Sequence, residues 1–340
     1  MAVYFDNIIG NEKLKRMLSS YVQNENMPHA FILEGARGSG KKTIAKSVAA
    51  ALSCKNETDT VPCNKCINCE KIFKGVSPDV ILIDSQGKKS IGVDIIRELK
   101  NHTYITSNEL DYKAYIIDEA DKMTPAAQNA FLKILEEPVT NVLYFLLCEN
   151  AQKLLPTVIS RAPVIRTARV EKQQIINYLT KNTKLDTEDI KTLTALSGGN
   201  IGVALEYSLD SSQLSSHKAL RADVYRFLEL NKSDVKKHLF LSFISEIEDK
   251  GGYCTDFLLT VYTAARDLVL FKTSASDSFD FFIDINDIKK YEKYIKLKYA
   301  KKLCVLIEEA LAQLQLNTGA SSASTIMQNL ALKAWNTHNL

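Results

Sequence analysis

The stretch "FILEGARGSGKKTIAKSVAAAL", residues 31–52, decides the fold. It begins inside a short apolar run, "AFILE" at 30–34, that reads as a buried strand. Gly35, Gly38 and Gly40 then break the chain, and from Lys41 to Leu52 small residues (Ala45, Ala49, Ala50) suit a closely packed helix. Strand, glycine loop and helix in that order point backbone N–H groups and the positive end of the helix at one place, which suits an anion. Gly35, four residues, then Gly40 and Lys41 match the first seven positions of G-x-x-x-x-G-K-[ST], in which the lysine reaches the β- and γ-phosphates. The eighth position should carry the hydroxyl that holds magnesium. Here it is Lys42, and Thr43 comes one place late, ~100° around the helix. The expected phosphate site is therefore Gly35, Gly38, Ser39, Gly40, Lys41, Lys42 and Thr43. The plainer alternative is a glycine turn with no ligand.

Working outward, "DVILID" (79–84), "KAYIIDEAD" (113–121), "NVLYFLLCEN" (141–150) and "APVIR" (162–166) read as further strands. Their apolar runs are continuous rather than alternating, which predicts a parallel sheet covered on both faces by helices. One such helix is expected over 90–105, with Ile91, Ile95, Ile96 and Leu99 at helical spacing. Another spans 124–138, with Thr124 as N-cap, Pro125 at the first helical position and Pro138 as the stop. Residues 1–166 thus read as an α/β nucleotide-fold domain. Beyond Val170 the strand signals fade. Three short helices with a turn at Gly198-Gly199-Asn200 form a small helical domain, 167–207. The Ser-rich "SLDSSQLSSHK", 208–218, reads as a linker into an all-α domain, 208–340, interrupted at "KGGY" and "KTSASDSFD".

The 340 residues carry a net charge of +3, too little to argue for nucleic-acid binding by itself, so any such contact must come from a local patch. The longest apolar runs, such as "VLYFLLC", fall far short of the ~20 residues of a membrane span. The N-terminus lacks a basic-then-apolar signal pattern, and a cytoplasmic protein is expected. Four of the seven cysteines fall within 54–69 as Cys54-x8-Cys63-x2-Cys66-x2-Cys69. In a reducing compartment such a cluster reads as metal binding rather than disulfides. Four thiolates suit a closed, structural, tetrahedral Zn2+ site. The alternative, unpaired buried thiols, sits poorly with the polar "DTVPCNKCINCEK". His29 and His102, the nearest histidines, are too far away in sequence to compete.

"YIIDEAD" places Asp118 where it can hold magnesium across from the loop and Glu119 where it can polarise a water. Alone, the motif also fits an acidic strand end in solvent. Arg161 in "LLPTVISRAPVIR" reads by itself as a salt-bridged surface residue. "YEKYIKLKYAKK", 291–302, interleaves Tyr and Lys and reads as a solvated helix face more than as a phosphate contact.

In this order the pieces resemble the AAA+ clamp-loader subunits of the bacterial DNA polymerase III holoenzyme, the gamma/tau motor subunit and its paralogue delta-prime. The resemblance covers residues 4 to about 205. "FDNIIGNEKLKRML" is similar to the family's adenine-side segment, which implies that Ile8, Ile9 and Gly10 lie near a base. "MPHAFILEG", the four-cysteine insertion, "NAFLKILEEP" and "LLPTVISR" resemble family segments in turn. The resemblance implies that Arg161 is an arginine finger reaching a neighbouring subunit's nucleotide. It places Asn150, or Glu149, at the sensor-1 position. It also implies a nucleotide domain, a three-helix lid and a collar that closes a five-subunit ring.

The departures point to the delta-prime role. Lys42 replaces the magnesium hydroxyl, Gly202 stands where a motor subunit would carry its sensor-2 arginine, Ala162 replaces the cysteine of Ser-Arg-Cys, and no long tail follows the collar. The expectation is then a ring member, part of the polymerase complex, with structural Zn2+, ATP/Mg2+ held poorly if at all, and little or no ATPase of its own. Its partners would be gamma/tau motor subunits and a delta subunit in a hetero-pentameric ring, with the sliding clamp and primer-template DNA reached through the complex, and no membrane. The alternatives are a gamma-type ATPase using Lys41, Thr43, Asp118 and Glu119, and a zinc-dependent nucleic-acid-binding protein with a vestigial loop.

Overall fold

The computed structural model describes residues 3–24, 27–56, 60–85, 87–88, 90–209, 211–231, 235–250, 253–274, 279–282, 285–316 and 320–338. The chain divides into two compact units, Met1–Tyr178 with Gly199–Val203, and Leu179–Gly198 with Ala204–Leu340.

The first unit runs β1 (Val3–Tyr4), α1 (Glu12–Gln23), β2 (Ala30–Glu34), α2 (Lys41–Leu52), β3 (Thr60–Val61), α3 (Ile67–Lys74) and β4 (Val80–Ile83). It continues with α4 (Val93–Thr103), β5 (Lys113–Ile117), α5 (Pro125–Glu136), β6 (Val142–Cys148), α6 (Pro156–Ile159), β7 (Val164–Arg166) and most of α7 (Lys172–Asn182). Five strands form one parallel sheet in the order β4-β5-β6-β2-β7; β1 and β3 pair separately, also in parallel. Alternate residues of each strand face opposite sides. Ile32, Tyr115, Ile117, Tyr144 and Leu146 belong to a core with α4 and α5 residues. Phe31, Leu33, Ile116, Phe145 and Leu147 belong to another, built with residues of α1 and α2. Cross-strand stacking holds the register on each side: Tyr115 on Tyr144 at 5.6 Å and Phe31 on Phe145 at 5.7 Å.

The expected parallel α/β arrangement is thus present, with three local differences. β4 is an edge strand rather than a doubly buried one, and Leu82 is 48% exposed. The helix expected over 90–105 begins only at Val93. Ile91 instead bridges Met123 in parallel, because two bonds tie its backbone to the segment before α5: its N–H donates to Lys122 O and its carbonyl accepts from Thr124 N. The Ser-rich segment read as a linker is helical from Ser211. Leu220, Val224 and Phe227 recur near a 3.6-residue period and are buried in one core, and Leu214 is buried on another side, so packing overrides the serine composition. Asp210 lies outside the described residues.

The second unit is helical: α8 (Thr187–Leu196), the bulk of α9 (Ile201–Leu209), α10 (Ser211–Glu229), α11 (Lys237–Glu248), α12 (Cys254–Ser274), α13 (Ile285–Glu292), α14 (Leu297–Leu316) and α15 (Ala320–His338). α12 packs on α14, and both α11 and α14 pack on α15. One apolar core runs through α10 to α15, with Phe227, Phe240, Phe243, Phe257, Leu303 and Met327 among its members. Buried Asp267 caps the turn between α12 and α13 by accepting from the backbone N–H groups of Asp280 and Phe281 at 2.8 and 2.7 Å. The interruption expected at "KTSASDSFD" starts late, since α12 runs through Ser274; residues 275–278 lie outside the described residues, as do 251–252 of "KGGY". Among the described residues no helix is long and apolar enough to cross a membrane.

Candidate functional site

Ligands of open parallel sheets sit beyond the carboxyl ends of the strands, and a cleft of about 770 Å³ lies there, within the first unit. Its walls are the loop after β2 (Arg37 to Lys42), the ends of β4 (Asp84, Ser85), β5 (Asp118, Glu119, Asp121) and β6 (Cys148, Glu149), and Gly202. The loop has the backbone conformation that its glycines permit. Gly38 and Gly40 take positive φ of 78° and 86°, the region in which only glycine is unstrained. Gly40 is the N-cap of α2, with no capping side chain and no acid in the first turn. The first N–H groups of α2 therefore have no internal acceptor, which is the condition for holding an anion.

The lysines behave differently from a loaded phosphate site. Lys41 folds back, its Nζ donating to the carbonyls of Gly35 at 2.5 Å and Ala36 at 2.9 Å. Burial lowers its pKa, against the opposing pull of Glu149 and Asp118. Lys42 crosses the cleft and pairs with Asp118, Nζ to Oδ2 at 2.7 Å. Its ammonium thus lies against the acid that the sequence assigns to magnesium. Thr43 is exposed and lies outside the cleft lining; its carbonyl accepts from the Ser47 hydroxyl. Glu119, in the left-handed region at φ 51°, pairs with Lys122 at 2.7 Å.

Gly202 closes the loop from the far side. Its N–H donates to Gly38 O at 2.8 Å. A Cβ at 202 would stand 2.7 Å from that oxygen and 2.9 Å from Gly38 Cα; one at Gly38 would stand 2.8 Å from Val203 Cγ2. The two glycines permit each other, and the backbone contact leaves no room for any side chain at 202.

Other predicted residues are placed away from the cleft. Asn150 caps a 3-10 turn, its Oδ1 accepting from Gln152 N at 2.9 Å, and Glu149 rather than Asn150 lines the cleft. Ile8 is buried beside α2 in the apolar core, Ile9 is half-buried, and neither lines the cleft. Arg161 is exposed at the end of α6 and is absent from the cleft walls. Its guanidinium donates to Glu136 Oε1 at 2.9 Å and to Thr157 O at 3.0 Å. Ser39 Oγ accepts from Thr167 Oγ1 at 2.9 Å. Glu34 accepts from Ala151 N at 3.0 Å and from Arg166 Nε at 2.6 Å, which lowers its pKa. Sequence reasoning did not single out Thr167 or Glu34; their partners come from distant chain segments, and no local signal marks them.

The cysteines converge. The Sγ atoms of Cys54, Cys63, Cys66 and Cys69 all lie within 4.8 Å of one another, with Cys63 and Cys69 3.9 Å apart. Zn–S bonds of ≈ 2.3 Å in a tetrahedron require S···S edges of ~3.8 Å, so the donor set fits a tetrahedral thiolate metal site. All four are free cysteines. Backbone N–H groups point at sulfur: Cys63 N to Cys54 Sγ at 3.5 Å and Cys66 N to Cys63 Sγ at 3.3 Å. Burial opposes ionisation of Cys63, but donors from Lys65 and Cys66 outweigh it and bring its pKa to about 6. The module is tied to the end of α2, with Asn68 Nδ2 donating to Ser53 O at 2.8 Å and Cys63 and Cys69 packed with Ala50, Ile72 and Leu110.

Comparison with known proteins bears on the whole arrangement. A family model described as "DNA polymerase III, delta subunit" matches residues 10–171. The chain is 30% identical to DNA polymerase III subunit gamma of Buchnera aphidicola (subsp. Schizaphis graminum) over 74% of its own length and 69% of that protein. It is 26% identical to DNA polymerase III subunit delta' of Bacillus subtilis over 94% of both. A solved gamma subunit-related protein from Thermotoga maritima matches at 18% identity and a TM-score of 0.46, covering 94% of this chain and 99% of that one. On sequence similarity, the chain belongs to the AAA+ clamp-loader family of DNA polymerase III subunits that includes gamma, tau and delta'.

Proposed function

We propose that this chain is the delta-prime-type member of a clamp-loader ring, a largely passive holder of its own nucleotide site that completes the site of a neighbouring motor subunit. The observation that carries this reading is the Lys42–Asp118 ion pair. It places an ammonium against the acid that a hydrolytic site uses for magnesium, at a position that lacks the magnesium hydroxyl. The Gly38–Gly202 contact supports it, because no arginine fits at 202 without moving the loop. Arg161, exposed and off the cleft, is available to a neighbour. The four cysteines would hold a structural Zn2+, which leaves no open position for a water or a substrate. In this reading residues 167–207 serve as the lid and 208–340 as the collar. The chain works in the cytoplasm with gamma/tau and delta subunits, loading the sliding clamp onto primed DNA.

The test is reconstitution with motor subunits, delta, clamp and primed DNA. Arg161→Ala should leave ring assembly intact by gel filtration and slow ATP turnover at the completed site by ~10³-fold or more, the range of arginine fingers. Unchanged turnover removes the finger. A second reading, a gamma-type ATPase, draws on the retained Lys41, Asp118 and Glu119 and on the 30% identity to a gamma subunit. Turnover of ~1 s⁻¹ or faster by the isolated chain, within the range of ordinary enzymes, would establish it instead.

A further inference from the structure

We propose that the corner between α13 and α14 in the second unit binds the phosphate backbone of double-stranded nucleic acid. Lys289, Lys290, Lys293 and Lys296 lead through the turn into Lys298, Lys301 and Lys302 on the first turns of α14, and all seven are exposed. Against them stand Asp287 and Glu292, so residues 285–302 carry a net +5. The whole chain is only +3, which leaves the other residues at −2. The positive charge of this protein is thus concentrated at one corner. Among the described residues, Lys290 alone of the seven has an acid within ion-pair distance, Asp287 at 3.9 Å.

The placement of α14's lysines opposes helix stability. Cations near a helix N-terminus oppose the helix dipole, most strongly in the first turn. α14 has no acid in its first turn to compensate, while Lys298, Lys301 and Lys302 occupy its start. An external anion would reverse that cost.

The surface chemistry selects the kind of anion. Two of the interleaved aromatics face inward: Tyr291 is 6% and Tyr299 3% exposed, and Tyr299 Oη donates to Asn231 Oδ1 at 2.5 Å. Tyr294 is half-buried, edge-on to Tyr291 at 6.0 Å. None of the three rings stands exposed as an open platform for an unpaired base, which single-strand binders use. Ile295 is buried too, which leaves no apolar wedge at the corner for a bilayer. Lysine ammonium groups are point charges that suit phosphates without reading bases. Membership of a family of DNA polymerase subunits makes duplex nucleic acid the occupant in keeping with this chemistry. The inference does not depend on the ring role of Arg161 or on the state of the nucleotide cleft.

The test uses the full chain and a mixed-sequence DNA duplex of about two helical turns (~20 base pairs), followed by fluorescence anisotropy from about 50 to about 200 mM salt. The triple variant K298E/K301E/K302E should bind at least ~10-fold more weakly. Its log K against log salt slope should be shallower by ~2–3, at ≈ 0.9 per lost phosphate contact. A control with the same charge change, K181E/K184E/K191E, should bind as the wild type does. Melting of the first triple should be unchanged or higher, since acids at that helix end are favourable; this separates lost contacts from lost fold. Equal binding by wild type and the α14 variant, or equal loss in the control, overturns the proposal. So does patch-dependent binding to anionic phospholipid vesicles or to polyglutamate without comparable binding to the duplex.

Discussion

Lys42 Nζ and Asp118 Oδ2 lie 2.7 Å apart, joining the start of α2 to the end of β5 across the mouth of the cleft. Lys42 is 51% exposed at its side chain and Asp118 is 19% exposed. A pair this wet is worth about 1 kcal/mol or less, or about fivefold in an equilibrium. It therefore competes with magnesium without barring it, and the missing hydroxyl is the larger loss. Lys42→Ala should tighten Mg-nucleotide binding by about fivefold at most, and Lys42→Thr, which also restores the hydroxyl, by roughly tenfold or more. Titration calorimetry with and without Mg2+ measures both. Equal affinity of wild type and Lys42→Thr would remove the ion pair from the account.

Gly202 meets Gly38 backbone to backbone. Gly202→Ala puts a methyl carbon 2.7 Å from a carbonyl oxygen that cannot rotate away. The strain should cost about 1–3 kcal/mol, as overpacking does, and should lower the first thermal transition. An unaltered melting curve would mean that the 202 segment moves off the loop at little cost.

The four-cysteine module ties the end of α2 to α3. Cys63→Ser or Cys66→Ser, or a strong chelator applied to the wild type, should release one equivalent of zinc per chain and lower stability by several kcal/mol, since the free energy of a structural site is folding free energy. Metal content by mass spectrometry, together with melting, decides this. Loss of DNA affinity with stability unchanged would instead favour a direct nucleic-acid role for the module.

Asp79 accepts backbone N–H bonds from Asn108, Glu109 and Leu110 at 2.7–3.0 Å. Burial alone would raise its pKa, but these three donors and Lys113 more than offset that, and the folded value lies below the ordinary one. The stability it contributes is therefore present above about pH 4, its ordinary range, and is lost as pH falls through the depressed folded value. Asp79→Asn should cost roughly 2 kcal/mol at neutral pH, the scale of a hydrogen bond to a charged group. It should also flatten the acid limb of a pH–stability curve. Parallel acid limbs for the two proteins would contradict this.

Much of the fold was legible locally. The loop between β2 and α2 carries its own instructions, since glycines must stand where φ is positive and small residues must line a helix packed against a sheet. Thr124 and Pro125 start α5 where the sequence puts them, with Ala127 N donating to Thr124 Oγ1 at 3.2 Å. The cysteine spacing places four thiols within reach of one centre. The serine-rich start of α10 is not marked as helix by its composition; the helical stripe of Leu220, Val224 and Phe227 begins only beyond the serines, and tertiary packing extends the helix back to Ser211.

The sequence by itself determined the parallel sheet, the glycine loop, the thiol cluster and the two residues, Lys42 and Gly202, at which the chain departs from the loop motif and from the pattern of the motor subunits it resembles. It could do so because backbone conformation, helix capping and ligand spacing are short-range properties. Only the tertiary structure decided what those two residues touch. That Lys42 reaches Asp118, that Gly202 seats its N–H on Gly38, and that Arg161 turns to Glu136 outside the cleft are results of packing. Each pair is joined across elements that close on one another when the apolar faces of sheet and helices are buried, and no local pattern encodes such a meeting.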